Sequence, residues 1–258
     1  MLAITTTLGF WLLDEISGRA FLADSGRGVY YGISFDADHL YLAARQAAYG
    51  AERSTQNNAV LVFDRRLRLA RIIHAPTPIR DVHQIFCDHR SLWIASTYDD
   101  AIFEHDLADG GWNVWHPFGA ADGPELDRNH INSIWMDGDV ILLAGTTPAG
   151  WYARFDRHDR GAFERHWLGH GTHNVWYDAR GVAMVCGSRD GAILSTAGDR
   201  AIIHPRAWLR GAARLGEFLY VGVCRIECVR CVTDRTVRLS RSTVPERSAA
   251  HTRSTATG

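Results

Sequence analysis

Asp81-Val82-His83-Gln84-Ile85-Phe86-Cys87-Asp88 reads as a short strand, His89-Arg90 as a turn, and Ser91-Leu92-Trp93-Ile94-Ala95 as a second, apolar strand. The same pattern recurs along the chain. Aligned on the residue that closes the first strand, the other copies are Tyr31 to Asp36, Asn132 to Asp137, His173 to Asp178 and, more weakly, Gly211 to Gly216. Each is followed by a turn and an apolar strand: Leu40 to Ala44, Val140 to Ala144, Val182 to Cys186 and Phe218 to Val223. A hairpin completes four copies, at Ala59 to Ile73, Ala101 to His116, Trp151 to Trp167 and Ala192 to His204. Asp109-Gly110-Gly111, Arg160-Gly161 and Gly198-Asp199 supply turn chemistry.

The unit is therefore four short antiparallel strands over roughly 40–50 residues, the period of propeller blades. Helical periodicity is absent, and a β-sandwich does not require one four-strand pattern to recur. The expected fold is an all-β propeller of five to six blades, the last incomplete, over residues 1–224. The segment Leu8 to Asp24 reads as the second hairpin of a blade that lacks its first. It is expected to close the ring by completing the blade begun at Arg210 to Val223, since a ring with an unpaired edge invites aggregation. Residues 225–258, rich in arginine, serine and threonine, read as a disordered or out-of-register tail.

Composition narrows the function. With 258 residues and a formal net charge of -1, the chain carries no electrostatic footprint for nucleic acid or an anionic membrane. Its 28 basic residues are all arginine, which excludes Schiff-base lysine chemistry and a lysine-bearing phosphate loop. No run is apolar enough to span a membrane, and the stretch Leu8 to Leu13 lacks the positive flank of a secretory signal. The five cysteines do not form a disulfide framework, so a cytoplasmic setting is expected.

In a propeller the first strand of each blade lines the central channel. Side chains two apart share a face, so Tyr31, His83, Asn132, His173 and Gly211 form one column, and Val29, Asp81, His130, Gly171 and Leu209 a second. Asp81, His83, His130, Asn132 and His173 are thereby expected round one channel mouth, with His170 and Arg210 near in sequence. Three imidazoles with a carboxylate or water make a familiar open site for zinc or iron. With thirteen histidines in the chain, a metal-free polar pocket and a purely structural ring stand beside that reading. The ligand-contact candidates are Asp81, Asn132 and His170; the metal candidates are His83, His130 and His173; Arg210 is a candidate for catalysis.

Asp81-Val82-His83, His130-Ile131-Asn132, His173-Asn174 and Leu209-Arg210-Gly211 resemble, in order, the blade-start motifs of an uncharacterised bacterial β-propeller family. Its members show Asp-x-His, His-Leu-Asn-Gly, Pro-His-Ser-Pro-Arg and Arg-Gly-Leu. The resemblance covers residues 30 to 223 and implies six blades but no particular activity. The chain departs from it at Ser133, where the family has glycine, around His173, where prolines and an arginine are missing, and after Val223. A looser likeness is to the streptogramin and peptidylglycine lyases, propellers with histidines on inner strands. It implies metal binding by His83, His130 and His173, an orienting role for Asp81, and Tyr31 as base or proton donor, with lyase or hydrolase chemistry. The competing reading is a non-catalytic scaffold for protein partners.

Three further features take structural readings. Cys224, Cys228 and Cys231 have iron–sulfur spacing but sit too late in the chain for a radical-SAM loop. Trp93, Trp135, Trp151 and Trp176 are expected to pack between blades. Asp99-Asp100 and Asp156 to Asp159 read as solvated acidic turns without calcium-loop spacing.

Overall fold

The computed structural model describes residues 1–45, 52–119, 126–205, 207–216, 218–225 and 238–243. Among these, all regular structure is β except one 3-10 turn at Arg53–Thr55. Six antiparallel sheets follow one another along the chain. The first contains β1 (Leu2–Thr5), β2 (Gly9–Leu13) and β3 (Ala20–Ser25). The second contains β4 (Val29–Phe35), β5 (His39–Arg45), β6 (Ala59–Asp64) and β7 (Leu69–Ile73). The third has β8 (Val82–Cys87), β9 (Ser91–Ser96), β10 (Ala101–Asp106) and β11 (Trp112–Trp115). The fourth has β12 (Ile131–Asp137), β13 (Val140–Gly145), β14 (Trp151–Asp156) and β15 (Phe163–Trp167). The fifth has β16 (Thr172–Tyr177), β17 (Ala183–Gly187), β18 (Ala192–Ser195) and β19 (Arg200–Ile202). The last has β20 (Ala207–Leu215), β21 (Phe218–Arg225) and β22 (Arg238–Thr243). This is the propeller expected from the repeats.

Burial explains why the second strands are apolar throughout. Tyr41 and Ala43 pack toward the third sheet, whereas Leu42 and Ala44 face the first. A strand between two neighbours buries both faces, so period-2 patterning gives way to a continuous apolar run. Each of the five buried clusters draws from two successive sheets. Trp93 and Trp151 are fully buried at one such seam, and Trp135 and Trp176 are half-buried at the next two, as the packing reading expects.

Each of the inner strands β4, β8, β12, β16 and β20 carries a bulge at the same place. The register slips between Tyr30 and Ile33, Val82 and Ile85, Ile131 and Ser133, His173 and Val175, and Leu209 and Ala212. A bulge leaves backbone groups outside the ladder, and buried ones need partners. Side chains of the adjoining blade supply them. Gln84 Oε1 accepts from Ile134 N at 3.1 Å, Ser133 Oγ from Asn174 N at 2.7 Å, and Asn174 Oδ1 from Gly211 N at 2.9 Å. At Gly32 the neighbouring backbone comes so close that a Cβ would lie 2.6 Å from Ile85 N, so only glycine fits.

The ladder corrects the register of the fifth copy. Its strand ends at Leu215, paired with Phe218, and Gly216 lies in the turn with φ 59°. Arg210, not Gly211, therefore stands in the column of Tyr31, His83, Asn132 and His173, and Trp208 replaces Leu209 in the second.

The two terminal sheets are incomplete in complementary ways. β3 ends at Ser25 and β4 starts at Val29, at the channel mouth. β1 runs parallel to β3, toward that mouth, whereas β4, β8, β12, β16 and β20 run away from it. β1 is thus equivalent to a second strand, and among the described residues no strand pairs with its other edge. The hairpin Leu8 to Asp24 does not stand without any strand of a first hairpin, since β1 precedes it in the same sheet. It pairs with β1, while β21 takes β22 as its outer neighbour. The two sheets meet side by side instead, where Tyr220 Oη donates to Glu15 Oε2 at 3.2 Å. Arg238–Thr243 is correspondingly a strand and not part of a disordered tail, because the open edge of β21 gives its backbone a ladder. The rest of that tail, with Cys228 and Cys231, lies outside the described residues.

Candidate functional site

Two residues with unusual backbone geometry open the site. Asp81 and His130 precede β8 and β12 with φ of 53° and 54°, the place where Gly171, φ 63°, precedes β16. A left-handed conformation costs a non-glycine residue about 1–2 kcal/mol. Both side chains are committed to polar partners there. Asp81 is 2% exposed and bonds the Arg45 guanidinium, while Arg53 Nη1 reaches Asp81 Oδ2 at 3.0 Å. Arg53 also donates to Asp127 Oδ2 at 2.5 Å, and His130 Nδ1 contacts Asp127 Oδ1 at 2.8 Å. Burial opposes ionisation of Asp81, but His83, Arg45 and Arg53 outweigh it and hold its carboxyl below the usual range.

The three imidazoles converge. The ring centres of His83 and His130 lie 5.6 Å apart, and those of His83 and His173 6.4 Å. Tyr31 lies 5.3 Å from His83, with Arg45 stacked 4.0 Å over its ring. The inner strands of four blades thus meet at one mouth, and Arg210 from a fifth joins by bonding His173 Nε2.

His83 and His173 are held by the same device. His83 Nδ1 lies 3.0 Å from the Asp81 carbonyl and 2.8 Å from Thr97 Oγ1. Thr97 in turn donates to the Ile131 carbonyl on the next blade at 2.7 Å. His173 Nδ1 lies 2.8 Å from the Gly171 carbonyl and 3.0 Å from Ser188 Oγ, which donates to the Leu209 carbonyl at 2.6 Å. Burial depresses the His83 pKa to about 3, with Asp81 acting against the shift and Arg45 and His130 adding to it. Burial, then Arg210, drives His173 well below 6.5. Both rings are neutral at pH 7.

The other two candidates stand elsewhere. Asn132 is 2% exposed and spent on a seam between blades: its Nδ2 donates to the Thr172 carbonyl at 3.0 Å, and Ser133 Oγ donates to its Oδ1 at 2.6 Å. The His170 side chain is 76% exposed on a loop, 3.0 Å from Asp190. Asp99 and Asp100, read as a solvated turn, are buried: Asp99 accepts from Ser96 Oγ at 2.5 Å and Arg80 N at 3.1 Å, and Asp100 from Asn129 N at 2.9 Å. Arg45, Arg53, Asp127, Thr97 and Ser188 escaped the sequence reading. Thr97 and Ser188 carried a signal, since each directly follows the second strand of its blade.

A zinc or iron ion needs donors aimed at one point. Among the described residues no group of three or more His, Cys, Asp or Glu side chains is arranged to hold a metal. Arg210 also takes Nε2 of His173, and its charge opposes a cation there. In this arrangement the residues do not fit the ion.

No family model matches the chain, and no curated protein matches its sequence. Solved structures do. Streptogramin B lyase is similar with a TM-score of 0.56 at 12% identity, over 85% of this chain and 70% of that one. A chain of a nidogen/laminin complex gives 0.59 at 13%, over 92% and 95%. A putative 6-phosphogluconolactonase from Bacteroides fragilis NCTC 9343 gives 0.55 at 12%, over 94% and 81%. At such identities the likeness shows the fold alone: the chain has the β-propeller fold, shared with lyase and lactonase enzymes and with a protein taken from a protein–protein complex.

Proposed function

We propose that the protein binds a small polar ligand at the mouth of its central channel, between His83, His130, His173, Tyr31 and Arg210. One observation carries this reading. Two neutral imidazoles from separate blades, one buried and one largely so, are fixed by equivalent clamps, and a purely structural ring has no need of that fixed orientation. Neutral imidazole can accept a proton from a bound substrate, and Tyr31 or Arg210 can donate hydrogen bonds to developing charge. Acid–base chemistry of the kind a lyase or a lactonase needs would fall within that repertoire. Metal-assisted lyase or hydrolase chemistry requires the Arg210 side chain to leave His173, so it ranks behind metal-free binding. A cytoplasmic location belongs to the same reading, supported by the unpaired thiols of Cys87 and Cys186. Among the described residues no helix is long and apolar enough to cross a membrane.

The test is a thermal-shift screen of small metabolites, with metal analysis, on the full chain and a His83→Ala/His173→Ala variant. A ligand that raises the wild-type Tm but not that of the folded variant supports the reading. No responding ligand, with equal metal content in both proteins, sinks it.

A scaffold role has its own observation. Phe21 and Leu22 on β3, the outermost strand of the first sheet, are 52% and 50% exposed. Binding to a protein partner that is lost in Phe21→Ser/Leu22→Ser and kept in the histidine variant would favour that role.

A further inference from the structure

Arg165 holds a charge that no carboxylate answers. It stands on β15, the outermost strand of the fourth sheet, on the face shared with Phe163. Its guanidinium carbon lies 3.9 Å from the ring centre of Phe118, 4.8 Å from that of Trp151 and 5.9 Å from that of Phe163. Nη2 donates to Asn129 Oδ1 at 3.0 Å, and Nε is buried without a hydrogen-bond partner. Among the described residues no carboxylate comes within ion-pair distance of it. Asp100, whose field reaches it, has its own oxygens on Asn129 N and Nδ2, at 2.9 and 3.3 Å. Arg157 and Arg160, in the turn that precedes β15, are by contrast paired with Asp88 and Glu104. Ring faces attract a cation but carry no net charge, so they do not replace a counter-ion.

A second arginine lines the same space. Phe118, Arg128, Asn129, Phe163 and Arg165 border an open groove of about 640 Å3 between the loop that follows β11 and the outer edge of the fourth sheet. Arg128 is exposed, and the carboxylate next to it in the chain, Asp127, is taken by Arg53 and His130. Phe163 is 44% exposed, and Phe118 meets it edge to face with ring centres 5.1 Å apart. The groove thus offers positive charge beside an open aromatic face. The charge is not presented as a fork. With Nη2 spent and Nε buried, Arg165 has Nη1 left, and Arg128 donates from a separate position. A carboxylate is matched by the planar fork, whereas a phosphoryl group has three oxygens for separate donors and about two negative charges for two arginines.

We propose that this groove binds a small aryl phosphate, its phosphoryl oxygens accepting from Arg128 and from Arg165 Nη1 and its ring stacked on Phe163. The site is separate from the channel mouth. β15 lies at the opposite edge of its sheet from β12, and none of Tyr31, His83, His173 and Arg210 lines the groove. The two sites therefore stand or fall independently.

The test titrates the full chain, in low-salt buffer, with phenyl phosphate, inorganic phosphate, benzoate and phenol, read by thermal shift and by calorimetry. Phenyl phosphate should raise the Tm and bind at least about tenfold more tightly than each of the other three. Arg128→Gln, a change at an exposed side chain, should weaken phenyl phosphate about tenfold without altering the Tm of the free protein. Phe163→Ser should remove its advantage over inorganic phosphate, and Arg165→Met should abolish the ligand-induced rise in Tm. With 15N-labelled histidine, the His83 and His173 signals should stay in place at saturation. Benzoate or inorganic phosphate binding as tightly as phenyl phosphate, unchanged affinity in Arg128→Gln, or movement of the His83 and His173 signals overturns the proposal. So does the absence of any phenyl phosphate binding, which leaves the channel-mouth reading untouched.

Discussion

The third and fifth sheets solve at one position a problem that the fourth solves differently. All three must tie the bulged inner strand of the next blade to themselves. In the third and fifth, the hydroxyls of Thr97 and Ser188 donate to the carbonyls of Ile131 and Leu209. In the fourth, Asn132 itself donates to the Thr172 carbonyl, the equivalent acceptor. Where a hydroxyl makes the tie, the column residue is released and is histidine. Where the column residue makes the tie, it is buried and unavailable to a ligand. Site and scaffold thus compete for the same position, and one hydroxyl just past the second strand decides the outcome.

The largest effect should come from the ion pairs beneath the histidines. Asp81→Asn leaves the buried Arg45 guanidinium without its counter-charge and should cost about 3–5 kcal/mol in urea unfolding. A loss under 1 kcal/mol would mean that the Arg45–Asp81 pair is not a buried tie.

Next comes the contrast itself. Asn132→Ala should destabilise by about 1–3 kcal/mol, since it strands a buried carbonyl, and should leave the affinity for a small ligand found by the thermal-shift screen nearly unchanged. Thr97→Val should cost about 1 kcal/mol and also weaken that ligand, because His83 loses part of its clamp. If the two variants affect binding equally, the division of labour between the blades is wrong.

Protonation gives a smaller, pH-resolved effect. The folded pKa of His83, about 3, lies below its ordinary 6.5. As pH falls through that window the unfolded chain takes up the proton first, so stability present above pH 6.5 is progressively lost. The slope cannot exceed about 1.4 kcal/mol per pH unit for one such group. His83→Gln should flatten the stability profile between pH 6 and pH 4, as read by urea midpoints at about half-unit steps. An unchanged profile would mean that His83 charges freely in the folded state. Protonation of Asp81 acts in the same direction but only below its ordinary 3.8, so the loss between pH 6 and pH 4 belongs to the histidine window and not to Asp81. The smallest effect is expected at His170. Its side chain is exposed and its pair with Asp190 is screened, so His170→Ala should move stability by less than about 0.5 kcal/mol and leave ligand binding intact.

Much of this molecule is legible in one dimension. Repetition of the His83 to Asp88 pattern determines blades, and continuous apolar runs such as Leu92 to Ala95 determine strands buried on both faces, because local pattern and local backbone state are tightly linked. The same repetition brought Tyr31, His83, His173 and Asp81 to one mouth. The sequence also placed Asn132 and His170 there, and spacing alone could not show that one is spent on a seam and the other faces solvent. Only the tertiary structure decided the register of the fifth copy, where the strand ends at Leu215 and so puts Arg210 in the column. It alone recruited Arg53 and Asp127, separated by 74 positions, into one ion pair. It alone built the clamps on His83 and His173, because each hydroxyl that holds a ring is itself committed to a carbonyl of the next blade.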